Sequence, residues 1–190
     1  MSWLELLAAA LGVVNIALLV RRSVWNYPFG IAMVALYIIV FWEARLYAEA
    51  GLQVFFILAQ AWGWLLWVRA GGTEPDADRV PVRWLDWPSR AVWAMVTAAL
   101  SLNLGWVLHR FTDAALPYAD SAIAGASVAA QILLALRRIE NWCLWIAIDV
   151  AAIAVYVSKD LWATAALYVL FLGFSILGLR EWTRSARARA

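Results

Sequence analysis

The sequence is poor in the groups that soluble chemistry relies on. It holds one cysteine, Cys143, and one histidine, His109. A lone cysteine excludes an internal disulfide framework and an all-cysteine zinc site, and a lone histidine excludes paired-histidine metal sites. Charged residues make up only 15% of the chain, where a soluble domain carries about a quarter. No G-x-x-x-x-G-K-[ST] phosphate loop is present, so ATP hydrolysis by that route is excluded. The G-x-S-x-G nucleophile elbow is likewise missing. A general acid–base pair needs two groups within hydrogen-bond reach, and no motif supplies one. The reading is therefore of a protein with no catalytic residues, no metal site and no cofactor.

Apolar residues are what the chain has in excess: 66% of 190 positions are hydrophobic, mean hydropathy is +0.77, and there are 14 tryptophans. Indole rings, apolar in body with one N–H donor, concentrate at bilayer interfaces. Spanning about 30 Å of hydrocarbon takes about 20 apolar residues. Seven runs of about that length are bounded by charge, at 3–20, 25–42, 48–68, 91–108, 118–136, 141–157 and 162–179. The expected fold is an all-α integral membrane protein with seven transmembrane helices. The first run carries Glu5 and no leading basic residue, with Arg21-Arg22 behind it, so it is a helix and not a secretory signal.

A net charge of +2 would suit nucleic acid, but the basic residues fall between apolar runs and act as topology signals. With the N-terminus outside, Arg21, Arg22, Arg69, Arg79, Arg83, Arg90, Arg137, Arg138, Arg180, Arg184, Arg187 and Arg189 are inside; Arg45, Arg110 and Lys159 are outside. Cytoplasmic loops carry the excess of Lys and Arg, which gives an N-out, C-in orientation with no nucleic-acid partner.

The chain also matches itself at an offset of 115 residues. Arg22 meets Arg137, Asn26 meets Asn141, Gly63 meets Gly178 and Trp67 meets Trp182, with Ile31-Ala32, Phe56 and several Leu, Ala and Val in the same register. The offset maps helices one to three onto five to seven and leaves the fourth unpaired. Equivalent helices are four crossings apart, so this is a 3+1+3 parallel repeat, an arrangement typical of transporters with the substrate near midplane. The expected organisation is a first three-helix repeat at 1–68, a solvated cytoplasmic loop at 69–90, and a linker helix at 91–110. A second repeat at 117–182 and a basic cytoplasmic tail at 183–190 follow.

A charge at membrane depth costs about 2.5–3.5 kcal/mol on insertion scales and persists where it meets a cavity or a partner. Asp149, in the middle of the sixth run, is the clear case. Helical spacing aligns it with Trp142, Trp145 and Tyr156. Similar stripes are Gln53, Phe56, Gln60 and Trp64 in the third run and Asn26, Gly30, Met33 and Tyr37 in the second; Asn15 and Gln131 add further amides. Together they would line a cavity for a flat, polar, cationic solute held by stacking, cation–π contact and amide hydrogen bonds. The bland alternative is that Asn15, Gln53 and Asn103 are helix-to-helix glue and that Asp149 is a structural acceptor. Trp3, Trp25, Trp42, Trp67, Trp84, Trp87, Trp93, Trp162 and Trp182 lie near span ends or in the loop and read as interfacial anchors.

The segment Glu140-Asn141-Trp142-Cys143-Leu144-Trp145-Ile146-Ala147-Ile148-Asp149, with Tyr156, Lys159 and Thr164-Ala165-Ala166-Leu167-Tyr168, resembles the bacterial Pnu vitamin transporters, and among them the nicotinamide riboside branch. Trp25-Asn26-Tyr27-Pro28-Phe29-Gly30-Ile31, Gln60 with Gly63-Trp64 and Trp67, and Gly178-Leu179-Arg180-Glu181-Trp182 extend the resemblance to nearly the whole chain except 69–90. It implies the SWEET-like 3+1+3 architecture, a homotrimer in the bacterial inner membrane, and facilitated diffusion of a vitamin that a cytoplasmic kinase traps by phosphorylation. Carried over, it favours Trp142, Trp145, Asp149, Tyr156, Gln60 and Gln131 as substrate contacts. Sister branches carry thiamine or riboflavin on the same scaffold. Thiamine is a cationic aromatic like nicotinamide riboside, so it stands as the alternative substrate; a small membrane enzyme or a structural membrane protein is the alternative of another class.

Overall fold

The computed structural model describes residues 3–43, 47–71, 80–111, 117–158 and 162–188. These form seven helices: α1 (Trp3–Val20), α2 (Asn26–Glu43), α3 (Tyr47–Gly71), α4 (Trp87–Phe111), α5 (Pro117–Ala135), α6 (Glu140–Ser158) and α7 (Trp162–Arg187). Each anticipated apolar run falls on one of them. Four contain segments long and apolar enough to cross a membrane, Leu52–Ala70, Trp87–Phe111, Pro117–Ala135 and Ala165–Arg187. Large apolar side chains point outward along these helices, among them Leu58, Leu65, Met95, Leu102 and Val169, as a hydrocarbon solvent requires.

The chain divides into two compact units, Met1–Val82 with Leu134–Arg137 and Glu181–Ala190, and Arg83–Leu133 with Arg138–Arg180. In the first, α1 packs on α2 and α2 on α3. In the second, α4 and α5 meet through small residues. A Cβ on Gly105 would fall against Tyr118 and Ser121, and one on Gly125 against Ser101; such close backbone approach is how membrane helices gain packing.

Two helix endings share one geometry. Arg22 and Arg137 both have φ 60°, a left-handed conformation uncommon outside glycine. Arg22 N–H bonds Leu19 O at 2.9 Å and Ser23 N–H bonds Leu18 O at 3.0 Å; Arg137 N–H bonds Leu134 O at 2.9 Å and Arg138 N–H bonds Leu133 O at 2.8 Å. This is the Schellman ending, which satisfies the last carbonyls of a helix. Asn26 Nδ2 then donates to Ser23 O at 2.6 Å and Asn141 Nδ2 to Arg138 O at 2.5 Å, tying each following helix to the turn before it.

Two boundaries differ from the sequence expectation. The segment after Arg79 is not simply a solvated loop: Val80 and Val82 are buried, Val80 N–H bonds Arg22 O and Arg22 Nη1 bonds Val80 O. Leu85 N–H and Arg90 Nε both bond the Glu140 carboxylate, Arg90 at 2.8 Å, and the Arg90 guanidinium lies 5.1 Å and 5.0 Å from the Trp84 and Trp87 rings. Asp86 accepts from Ser89 N–H at 3.2 Å, so it caps α4, and hydrogen bonding from the Ser89 hydroxyl, then from its N–H, holds the Asp86 carboxyl below the usual range. At the other end, α7 continues to Arg187, which puts Arg184 and Arg187 on its last turn, where cations offset the helix dipole, and not on a separate tail. Arg45, Arg79, Lys159 and Arg189 lie outside the described residues.

Candidate functional site

In the first unit the polar residues gather around Gly30 on α2. A Cβ there would collide with Gln60 Oε1 from α3 and lie 2.6 Å from Asn15 Nδ2 from α1, so the missing side chain is what lets two amides rest on the α2 backbone. Asn15 Nδ2 donates to Asn26 O at 2.7 Å, the helix-joining role weighed for it. Asn26 is buried with its amide committed to Ser23 O, so it serves the turn. Gln60 is also buried, and its amide bonds no other described residue. Trp64 is exposed and Gln53 half-buried.

In the second unit Asp149, at the centre of α6, is 4% exposed. It accepts one hydrogen bond, from Ser175 Oγ on α7 at 2.8 Å, and no Lys, Arg or His among the described residues pairs with it. Trp142 is buried, with its ring over Gly178: a Cβ on that glycine would stand 2.5 Å from Trp142 Cε2. The first unit repeats this relation with Tyr27 over Gly63, where the added Cβ would be 2.7 Å from the hydroxyl. Trp145 is half-buried and Gln131 buried, with no hydrogen-bond partner for the Gln131 amide among the described residues. The Tyr156 side chain lies outside the described residues.

Sequence reading missed Ser175, since one serine in an apolar helix has no pattern. The offset could have found it, because Ser175 is the counterpart of Gln60. Two supposed interfacial anchors are also corrected: Trp67 and Trp182 are wholly buried, their rings 5.8 Å apart, because their N–H groups serve helix-end carbonyls. Asn103 is exposed and bonds Ala99 O in its own helix. Among the described residues no group of three His, Cys, Asp or Glu could hold a metal ion.

Known proteins decide the class. The family model described as nicotinamide mononucleotide transporter matches residues 2–184. The chain belongs to that family. Its members are multi-pass membrane transporters and not enzymes, and the curated relatives agree. The nicotinamide riboside transporter PnuC of Escherichia coli is 29% identical over 215 residues, covering 100% of this chain and 88% of the relative. PnuC of Neisseria mucosa is 29% identical over 202 residues, covering 96% and 73%. The riboflavin/roseoflavin transporter RibM of Streptomyces davaonensis is 24% identical over 187 residues, covering 97% and 86%. A crystal structure of the vitamin B3 transporter PnuC superposes with a TM-score of 0.82 at 25% identity, covering all of this chain and 84% of that one. The seven-helix fold is thus that of a vitamin transporter family.

Proposed function

We propose that the protein is a bacterial inner-membrane carrier for nicotinamide riboside. The observation that carries this reading is the chemistry of the spans. Asp149 is a buried carboxylate with no cation of the described chain to pair it, and a buried charge is retained where something neutralises it. No Lys or Arg falls inside any of the seven apolar runs, and a phosphate would call for one. A pyridinium nucleoside supplies the cation and lacks the phosphate, which favours the riboside over the mononucleotide of the family's description. In this reading Trp145, with Trp142, offers indole faces to the ring, Asp149 balances its charge, and the free amides of Gln60 and Gln131 bond the carboxamide or ribose. Tyr156, Trp64 and Asn26 complete the proposed lining, Asn26 through the turn it holds.

The two matched helix endings, the 115-residue register and the paired Tyr27–Gly63 and Trp142–Gly178 contacts support a 3+1+3 repeat of SWEET-like type, whose halves rock about a midplane site. The excess of arginine between helices supports N-out, C-in. α4 buries only Gly105, leaving its apolar length for lipid or for neighbours in a homotrimer. Transport is by facilitated diffusion, with a cytoplasmic kinase trapping the product.

The test is uptake of labelled nicotinamide riboside into proteoliposomes holding the purified chain alone. Uptake stops when inner and outer concentrations are equal, and enclosing a nicotinamide riboside kinase with ATP drives it further. Accumulation against a gradient without the kinase refutes facilitated diffusion. The second reading is another vitamin on this scaffold. Likeness to RibM over 97% of the chain favours testing riboflavin beside thiamine.

A further inference from the structure

Hydroxyl and amide side chains inside these helices usually turn back on their own backbone. Thr97 Oγ1 bonds Trp93 O at 2.7 Å, and Ser127 Oγ bonds Ile123 O at 2.8 Å, the four-residue return common for such groups. Ser175 departs from this habit. Its hydroxyl leaves α7 and donates to Asp149 Oδ2 on α6, both residues buried.

The carboxylate torsion of aspartate is broad and two-fold, so a lone carboxylate among apolar side chains can turn either oxygen, at either angle, toward a solute. A hydroxyl on Oδ2 removes that freedom and leaves Oδ1 without a partner among the described residues. The 115-residue register gives this a second support. Ser175 corresponds to Gln60 and Trp145 to Gly30. One repeat thus has no side chain on its second helix and a long amide on its third. The other has an indole on the second and a small hydroxyl on the third. Both third-helix positions are buried and polar, but only the small one stands beside a carboxylate.

We infer that Ser175 is a specificity-determining positioning residue, whose hydroxyl fixes Asp149 so that its free oxygen meets the positive ring of the solute. Ser175 thereby makes the carrier prefer a pyridinium nucleoside to the uncharged dihydropyridine form of the same molecule. This rests on the reading that Asp149 meets the solute.

The experiment measures equilibrium binding of nicotinamide riboside and of its reduced, uncharged form to the purified full chain. The variants are Ser175→Ala, Ser175→Thr, Asp149→Asn and the double Ser175→Ala/Asp149→Asn. One hydrogen bond to a charged group corresponds to a change of about tenfold. Ser175→Ala should therefore weaken the cation by about that factor and shift the reduced form by less than about twofold. Ser175→Thr should restore most of the loss, and the double variant should bind no worse than Asp149→Asn. Ser175→Ala with wild-type affinity for the cation, or with equal losses for both forms, overturns the inference even where Asp149→Asn weakens binding. Asp149→Asn with wild-type affinity overturns the underlying reading instead. If Ser175→Ala does not fold, Ser175→Cys, a weaker donor of similar size, carries the same comparison.

Discussion

Trp67 and Trp182 serve opposite helix ends in a reciprocal pattern. Trp67 Nε1 donates to Leu134 O at 3.3 Å, and Trp182 Nε1 donates to Leu19 O at 3.2 Å. The donors are 115 residues apart, and so are the acceptors. Each carbonyl also accepts the N–H of the left-handed arginine three residues on, so both its lone pairs are used. α3 is thereby fastened to the end of α5, and α7 to the end of α1, within the first unit.

Removing either indole N–H should destabilise the fold. Trp67→Phe and Trp182→Phe each leave a buried carbonyl with one donor and shrink a packed ring, at a cost of about 1–3 kcal/mol. Thermal unfolding in detergent checks this. The rings touch, so the double variant should lose less than the two singles together.

Glycine substitutions in α7 should separate close packing from open space. Gly178→Ala sets a methyl against the Trp142 ring, and Gly173→Ala meets nothing within 4 Å. The first should cost about 1–3 kcal/mol, while the second should be neutral or stabilise by about 0.5–1 kcal/mol through helix propensity. Melting temperatures of the two variants give the comparison directly.

Glu140 should matter more than its partner Arg90. Glu140→Ala removes the ion pair and also strands Leu85 N–H, whereas Arg90→Ala removes the ion pair and its stacking on Trp84 and Trp87. The part-exposed pair itself is worth about 1 kcal/mol or less. Limited proteolysis near residue 80 should therefore accelerate more in Glu140→Ala than in Arg90→Ala.

The α4 cap should show in the acid limb of stability. The carboxyl of Asp86 is lower in the folded chain than when free, so its contribution is complete above the ordinary aspartate range and is lost as pH falls through the folded value. Asp86→Asn, which keeps an acceptor for Ser89 N–H, should flatten that limb. An unchanged pH profile of unfolding would contradict the capping role.

Seven apolar runs foretold seven helices because a hydrocarbon solvent makes hydropathy nearly sufficient. Tertiary capping was harder to read. Trp67 and Trp182 lie near run ends, where indoles normally meet headgroups, and no local pattern says that a helix-end carbonyl waits for each. Val80 and Val82 sit in a segment rich in proline and charge, where no local pattern announces burial, and Val80 is held by a non-local pair of hydrogen bonds with Arg22. Asp149 and Gln60 were legible because polarity is costly in an apolar run. Ser175 was not, because serine costs little there.

The most direct measurement is competition for uptake of labelled nicotinamide riboside into proteoliposomes of the purified chain. Unlabelled riboside should suppress saturable uptake fully, with nicotinamide mononucleotide, thiamine and riboflavin much weaker, and Asp149→Asn should lower the rate in folded protein. Uptake no faster than in empty liposomes, or suppression by thiamine or riboflavin at lower concentrations than the riboside itself, would contradict the assignment.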